Sequence, residues 1–183
     1  MKVFIDCGAY KGKLIEQFRA NARYGSAYKV YALECNPALS HVRFPGTTEI
    51  RKAAWTFDGE LEFFINTKVP RIQGNSVYRD KTTGHLDKEH PVKVPCFDFS
   101  KWLSKTFTAE DYVVIKMNIE GAEYDVLEKC IVDGTISLIN ELHIQWHWMK
   151  IPGVSRERHD SLVRALNRVN GLNVYNGYGR IKG

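Results

Sequence analysis

Val3-Phe4-Ile5-Asp6-Cys7-Gly8-Ala9-Tyr10-Lys11-Gly12 reads as an apolar strand that stops at an acid, turns through two glycines and gives way to a helical pattern. Strand, tight turn and helix in that order place a ligand at the carboxyl end of a parallel sheet, where glycine lets backbone approach it closely. Asp6 narrows the ligand. A dinucleotide pyrophosphate needs bare backbone N–H groups at the helix start, and an acid in that turn repels it. A nucleoside cofactor carrying an amino group is instead attracted, and S-adenosylmethionine is one. The next strand, Lys29-Val30-Tyr31-Ala32-Leu33-Glu34, also ends in an acid, where related sheets hold ribose hydroxyls, so Glu34 is the expected ribose ligand. Singly, Asp6 as a helix cap or Glu34 as a solvated strand end is an ordinary structural feature; the two in order favour a cofactor.

Composition sets the outer bounds. A chain of 183 residues, 44% hydrophobic, fits one domain spanning 1–183 with a real core. The net charge of +5 is spread along the chain, so it permits an anionic partner without pointing to one. Cys7, Cys35, Cys96 and Cys130 are widely separated and lie in apolar segments, which suits buried thiols and disfavours zinc and disulfides. Asp6 interrupts the N-terminal apolar run, and no stretch approaches a membrane span, so a cytoplasmic protein is expected.

Helical spacing of Leu14, Ile15, Phe18 and Ala22 predicts a helix from Lys13 that packs back on the first strand. After Glu34, Asn36-Pro37 starts a short helix or turn towards Phe44-Pro45-Gly46. Glu49 to Trp55 reads as a third strand whose end, Ala53-Ala54-Trp55, suits the flat face of an adenine. Leu61–Ile65 and Val92–Phe97 read as strands, and Phe99–Phe107 as a helix. Between them, residues 66–91 form a polar stretch too long to lack a purpose, expected to be a lid or acceptor loop. Arg71, Gln73, Asn75, Ser76, Tyr78 and Arg79 supply its hydrogen-bonding and stacking groups.

A second chemical centre runs from Asp111 to Glu123. Its apolar start marks a strand buried on both faces, and its alternating end puts Lys116, Asn118 and Glu120 on one side. Gly121 then opens a helix with Val126, Leu127, Cys130 and Ile131 inward and Gly134 beyond its end; Glu123 in the first turn complements the helix dipole. In Ile139–His147, period two groups Glu141, His143, Gln145 and His147, so the segment is read as a strand and not as a helical metal pair. As the next strand of the sheet, it is expected to set Glu141 and His143 beside Asn118 and Glu120 at the rim. An amphipathic helix from Ser155 to Val169 and a strand near Leu172–Tyr175 follow, leaving little chain for a last hairpin.

These motifs, in this order, resemble those of the FkbM-type methyltransferases: Phe4–Gly12, Ala32–Pro37, Ala53–Trp55, Ile115–Glu123 and Glu141-Leu142-His143. The Lys-x-x-x-Glu-Gly-Ala-Glu block at 116–123 is the most specific. The resemblance implies an α/β, Rossmann-like class I methyltransferase fold, with a mostly parallel sheet and helices on both faces. It implies S-adenosylmethionine as donor, leaving S-adenosylhomocysteine, and a hydroxyl acceptor, often on a sugar. Donor contacts are expected from Asp6, Gly8, Ala9, Tyr10, Gly12, Glu34, Cys35, Ala54, Trp55 and Asn118. The family usually carries aspartate where this chain has Asn118.

Methyl transfer to an alcohol needs alignment and removal of the hydroxyl proton. His143 is the expected base, oriented by Glu141, with Glu120 and Asn118 hydrogen-bonding the acceptor or the donor's amino group. The same four residues offer an alternative Mg²⁺ or Mn²⁺ site, which Asn118 weakens. The acceptor is expected to be a small molecule or glycan. A nucleic-acid methyltransferase is the less favoured alternative, because there is no Asn/Asp-Pro-Pro-aromatic motif and no clustered arginine with aromatics. An inactive cofactor-binding domain is the third reading.

Overall fold

The computed structural model describes residues 1–39, 45–68 and 73–182; Phe44, towards which the short helix or turn is expected to run, and the loop residue Arg71 lie outside them. In chain order the elements are β1 (Lys2–Cys7), α1 (Lys13–Ala20), β2 (Lys29–Leu33), β3 (Thr47–Ile50), β4 (Ala53–Trp55), β5 (Gly59–Phe63) and β6 (Val92–Asp98). Then come α2 (Phe99–Thr106), β7 (Tyr112–Met117), α3 (Glu123–Val132), β8 (Glu141–Ile144), α4 (Arg156–Asn167), β9 (Asn173–Asn176) and α5 (Gly179–Lys182). Six strands form one parallel sheet in the order β3-β2-β1-β7-β8-β9. A smaller sheet joins β4 in parallel and β5 in antiparallel to β6.

Alternation along β1 divides the core. Val3, Ile5 and Cys7 pack with Leu103 of α2, Leu127 of α3 and Leu166 of α4, while Phe4 packs with Ile15 and Phe18 of α1 and Ile181 of α5. Helices therefore cover both faces of the parallel sheet, the Rossmann-like arrangement expected of continuous apolar strands. Side-chain oxygens start two helices: Asp98 accepts from Lys101 N–H (3.0 Å) and Ser155 from Arg158 N–H (3.2 Å).

Two expectations change. The strand read from Glu49 to Trp55 is two strands in two sheets, because the Arg51 guanidinium donates to Asn36 O (2.8 Å) and Leu39 O (3.0 Å) and pulls the chain out of line. The strand read through His147 ends at Ile144 and is followed by a 3-10 turn at Trp148–Lys150. Of the short helix or turn expected after Glu34, residues 36–39 form the turn, and β9 runs parallel to β8. No helix among the described residues is long and apolar enough to cross a membrane.

Candidate active site at the carboxyl rim of the sheet

Four amides of the turn after β1 are held by the protein's own acceptors. Gly8 N–H and Ala9 N–H both donate to Leu33 O (2.9 and 3.0 Å), Gly12 N–H donates to Ala9 O (2.8 Å), and Tyr10 N–H donates to Glu34 Oε2 (2.9 Å). Gly8 has φ +77°, and a Cβ there would stand 2.1 Å from Asn118 O, so only glycine lets the turns after β1 and β7 meet backbone to backbone. Asn36 N–H donates to the other Glu34 oxygen (2.9 Å), fixing that carboxylate at the end of β2.

A cavity of about 220 Å³ opens beside this turn. Leu33, Leu39, Ala53, Ala54, Phe63 and Val77 give it apolar walls; Gly8, Tyr10, Glu34, Cys35, Asn118 and Glu120 line it as well. The break between β3 and β4 swings Ala53 and Ala54 into that wall. Burial and the neighbouring Glu34 charge push the Cys35 thiol up to about 12, so it lines the cavity as a neutral group. Gln73, Gly74 and Asn75 bring the 66–91 segment to the opening. Ala9, Gly12 and Trp55 stand back from the lining, and Trp55 meets Tyr78 edge to face instead.

Asp6 lies beneath the turn. Its carboxylate is fully buried and 2.8 Å from Lys116 Nζ, which also donates to Cys7 O (3.2 Å) and Gly8 O (2.7 Å). The acid expected to face an amino group thus holds an ammonium of its own chain, and through it the glycine turn.

The segment just beyond β7 carries the polar end of the cavity. Asn118 Oδ1 has no hydrogen-bond partner among the described residues. Glu120 adopts φ +55°, uncommon for a residue with a side chain. Ser76 Oγ donates to its carbonyl (2.8 Å), and Lys81 Nζ lies 2.8 Å from its Oε2. Burial pushes the Glu120 carboxyl up, but the neighbouring His147 ring and Lys81 ammonium outweigh it and hold the group below its usual value. His147 stands behind it: Nδ1 is 2.8 Å from Glu123 Oε1, and Nε2 is 3.6 Å from Glu120 Oε2. Glu123 Oε2 accepts from Gly121 N–H (2.9 Å), so one buried carboxylate fixes both turn and ring.

His143 and Glu141 are not brought to this rim. Glu141 pairs in register with Val114 and His143 with Lys116, which places both below the carboxyl end of the sheet. His143 is fully buried; its Nε2 is 3.2 Å from Tyr24 Oη and 3.3 Å from Glu141 Oε2, and its ring stacks on Tyr175. Glu141 also accepts from Tyr24 (2.8 Å), Tyr112 (2.6 Å) and Arg23 (3.0 Å). The four side chains weighed as a divalent-cation site are split between two places. No group of three or more His, Cys, Asp or Glu among the described residues could hold a metal ion.

A family model for the methyltransferase FkbM domain matches residues 6–168. The chain belongs to the FkbM methyltransferase family. That match runs from the acid beneath the glycine turn to the end of α4, so it spans the cavity, the 66–91 segment and the rim of this FkbM domain. No curated protein and no solved structure matches the chain.

Proposed function

We propose that this FkbM domain is an S-adenosylmethionine-dependent O-methyltransferase acting on a hydroxyl of a sugar, glycan or other small polyhydroxyl compound. One observation carries the reading: a carboxylate at the end of β2, fixed by two backbone amides, stands at the edge of a cavity with apolar walls. Two accepted hydrogen bonds leave Glu34 lone pairs for ribose hydroxyls, while Ala53, Ala54 and Phe63 suit an adenine. The turn supports a nucleoside over a dinucleotide, because the amides of Gly8, Ala9, Tyr10 and Gly12 already have acceptors within the chain.

Bound there, the cofactor supplies an electrophilic methyl group. Asn118 Oδ1 offers an acceptor to the donor's amino group or to the incoming hydroxyl, and Glu120 offers its carboxylate to that hydroxyl. Asp6 acts from behind, keeping Lys116 on the carbonyls of the glycine turn. Segment 66–91 serves as the lid: Ser76 and Lys81 tie it to Glu120, Tyr78 hydrogen-bonds Asp125, and Thr82 N–H donates to Lys150 O (2.9 Å). Gln73 then presents an amide at the opening, chemistry suited to a polyhydroxyl acceptor.

Calorimetric titration with S-adenosylhomocysteine and transfer of labelled methyl to a panel of sugars and polyols test this. Glu34→Ala is expected to weaken binding by about 1.5–3 kcal/mol, the scale of a hydrogen bond to a charged group. Unchanged affinity in the folded variant, or label found only in RNA, overturns the proposal.

A further inference from the structure

We propose that Glu120 and His147 form a proton relay: Glu120 takes the acceptor's hydroxyl proton at the cavity and passes it to His147 Nε2, with Glu123 fixing the imidazole. The relay rests on the methyl-transfer reading above and names the groups that make its acceptor a nucleophile.

Three features of the rim point to it. Glu120 is the carboxylate that both lines the cavity and approaches an imidazole, its Oε2 lying 3.6 Å from His147 Nε2. Catalytic hydrogen bonds are often long without substrate and tighten when it binds. Second, the Nδ1 contact to Glu123 at 2.8 Å directs a proton to Nδ1 and leaves Nε2 as the basic nitrogen towards Glu120, the orientation that an acid–histidine pair needs in base catalysis. Third, the conformation costs something to hold. Glu120 sits at φ +55° and Gly121 at φ +117°, and a Cβ at Gly121 would stand 2.7 Å from Ile151. A positive φ at a non-glycine residue costs on the order of 1 kcal/mol and persists where the surroundings impose it. Here Ser76, Lys81 and the Gly121–Glu123 bond impose it, and the result turns the Glu120 carboxylate towards His147.

The step balances. The acceptor's O–H bond breaks and its pair stays on oxygen, which bonds to the methyl carbon. The carbon–sulfur bond breaks with its pair returning to sulfur, and the proton crosses Glu120 to His147. The positive charge lost by the sulfonium reappears as imidazolium between Glu120 and Glu123, with Lys81, Lys150 and Tyr178 the further charged or titratable groups facing the rim. Lys81 belongs to the lid, so seating the lid holds Glu120 ionised and ready to accept.

Nitrogen-15 NMR of the full chain at neutral pH, with the His147 signals assigned by their loss in His147→Gln, is expected to show a proton on Nδ1 and none on Nε2. A protonated Nε2 overturns the relay. In the label-transfer assay, His147→Ala and His147→Gln are both expected to lower kcat by about 10²–10⁴ while S-adenosylhomocysteine affinity stays within about twofold, well under 1 kcal/mol. Glutamine keeps an N–H for Glu123 but supplies no base, so full activity in His147→Gln reduces the ring to a support and overturns the relay alone. Failure of the parent chain to bind S-adenosylhomocysteine overturns instead the reading on which the relay rests.

Discussion

Two acid–histidine pairs meet β8, one on the strand and one just past it, and they differ in what they have left to give. In Glu141–His143 the carboxylate already accepts from Arg23, Tyr24, Tyr112 and the histidine side, which fills the roughly four lone-pair sites a carboxylate has. In Glu123–His147 the carboxylate accepts from Gly121 and the ring, and the far ring nitrogen faces a third group that lines the cavity. Both histidines are buried, so burial does not separate them. Position does: the free ring nitrogen of His147 faces Glu120, which lines the cavity, whereas His143 stands lower on the strand, level with Lys116.

The comparison breaks most visibly through Glu141. Glu141→Ala is expected to cost about 3–5 kcal/mol in urea unfolding, since it strips a buried network of its shared partner, while turnover per folded molecule stays unchanged. His143→Ala comes next, at about 1–3 kcal/mol of stability for the Tyr24 and Glu141 groups left short of a partner, with kcat within about threefold of the parent, under 1 kcal/mol in barrier. A fall of about 10² or more per folded molecule would return the base to His143. The smallest effect is in acid. Burial pushes the Glu141 carboxyl up, but hydrogen bonds from His143, Tyr112, Arg23 and Tyr24 more than offset this and hold it well below its ordinary 4.5. Its contribution to stability is therefore complete above about pH 4.5 and is lost as pH falls below that value. Thermal unfolding from about pH 6 to about pH 3 is expected to show the parent losing on the order of 1 kcal/mol more than Glu141→Gln. Parallel curves would mean that the network does not hold the charge.

The glycine turn, β1, β7 and the helices that cover the sheet are legible in the sequence because each is a local pattern, an apolar run or a helical spacing ended by glycine. What escaped is tertiary. The partner of Asp6 is 110 residues away, although a lysine inside Val113-Val114-Ile115-Lys116-Met117 asks for a counter-charge. Arg51 breaks the third strand by reaching carbonyls of a turn that precedes it. Period two groups His147 with His143, yet a strand read over nine residues beside the six of β7 has to overhang the sheet. That overhang is the signal in the sequence that its last residues belong to the rim.

Strand order also sets a timetable. β1 lies between β2 and β7, with Lys2 opposite Tyr112, so one side of the central strand stays open until the chain has grown by about another hundred residues. At ribosomal speed that wait is on the order of 5–20 s, during which an apolar edge is available to any other nascent chain. An inward-pointing charge is one way for proteins to guard such an edge, and Asp6 is one until Lys116 arrives. The residue that stiffens the finished turn thus first serves as a sentry on the unfinished sheet.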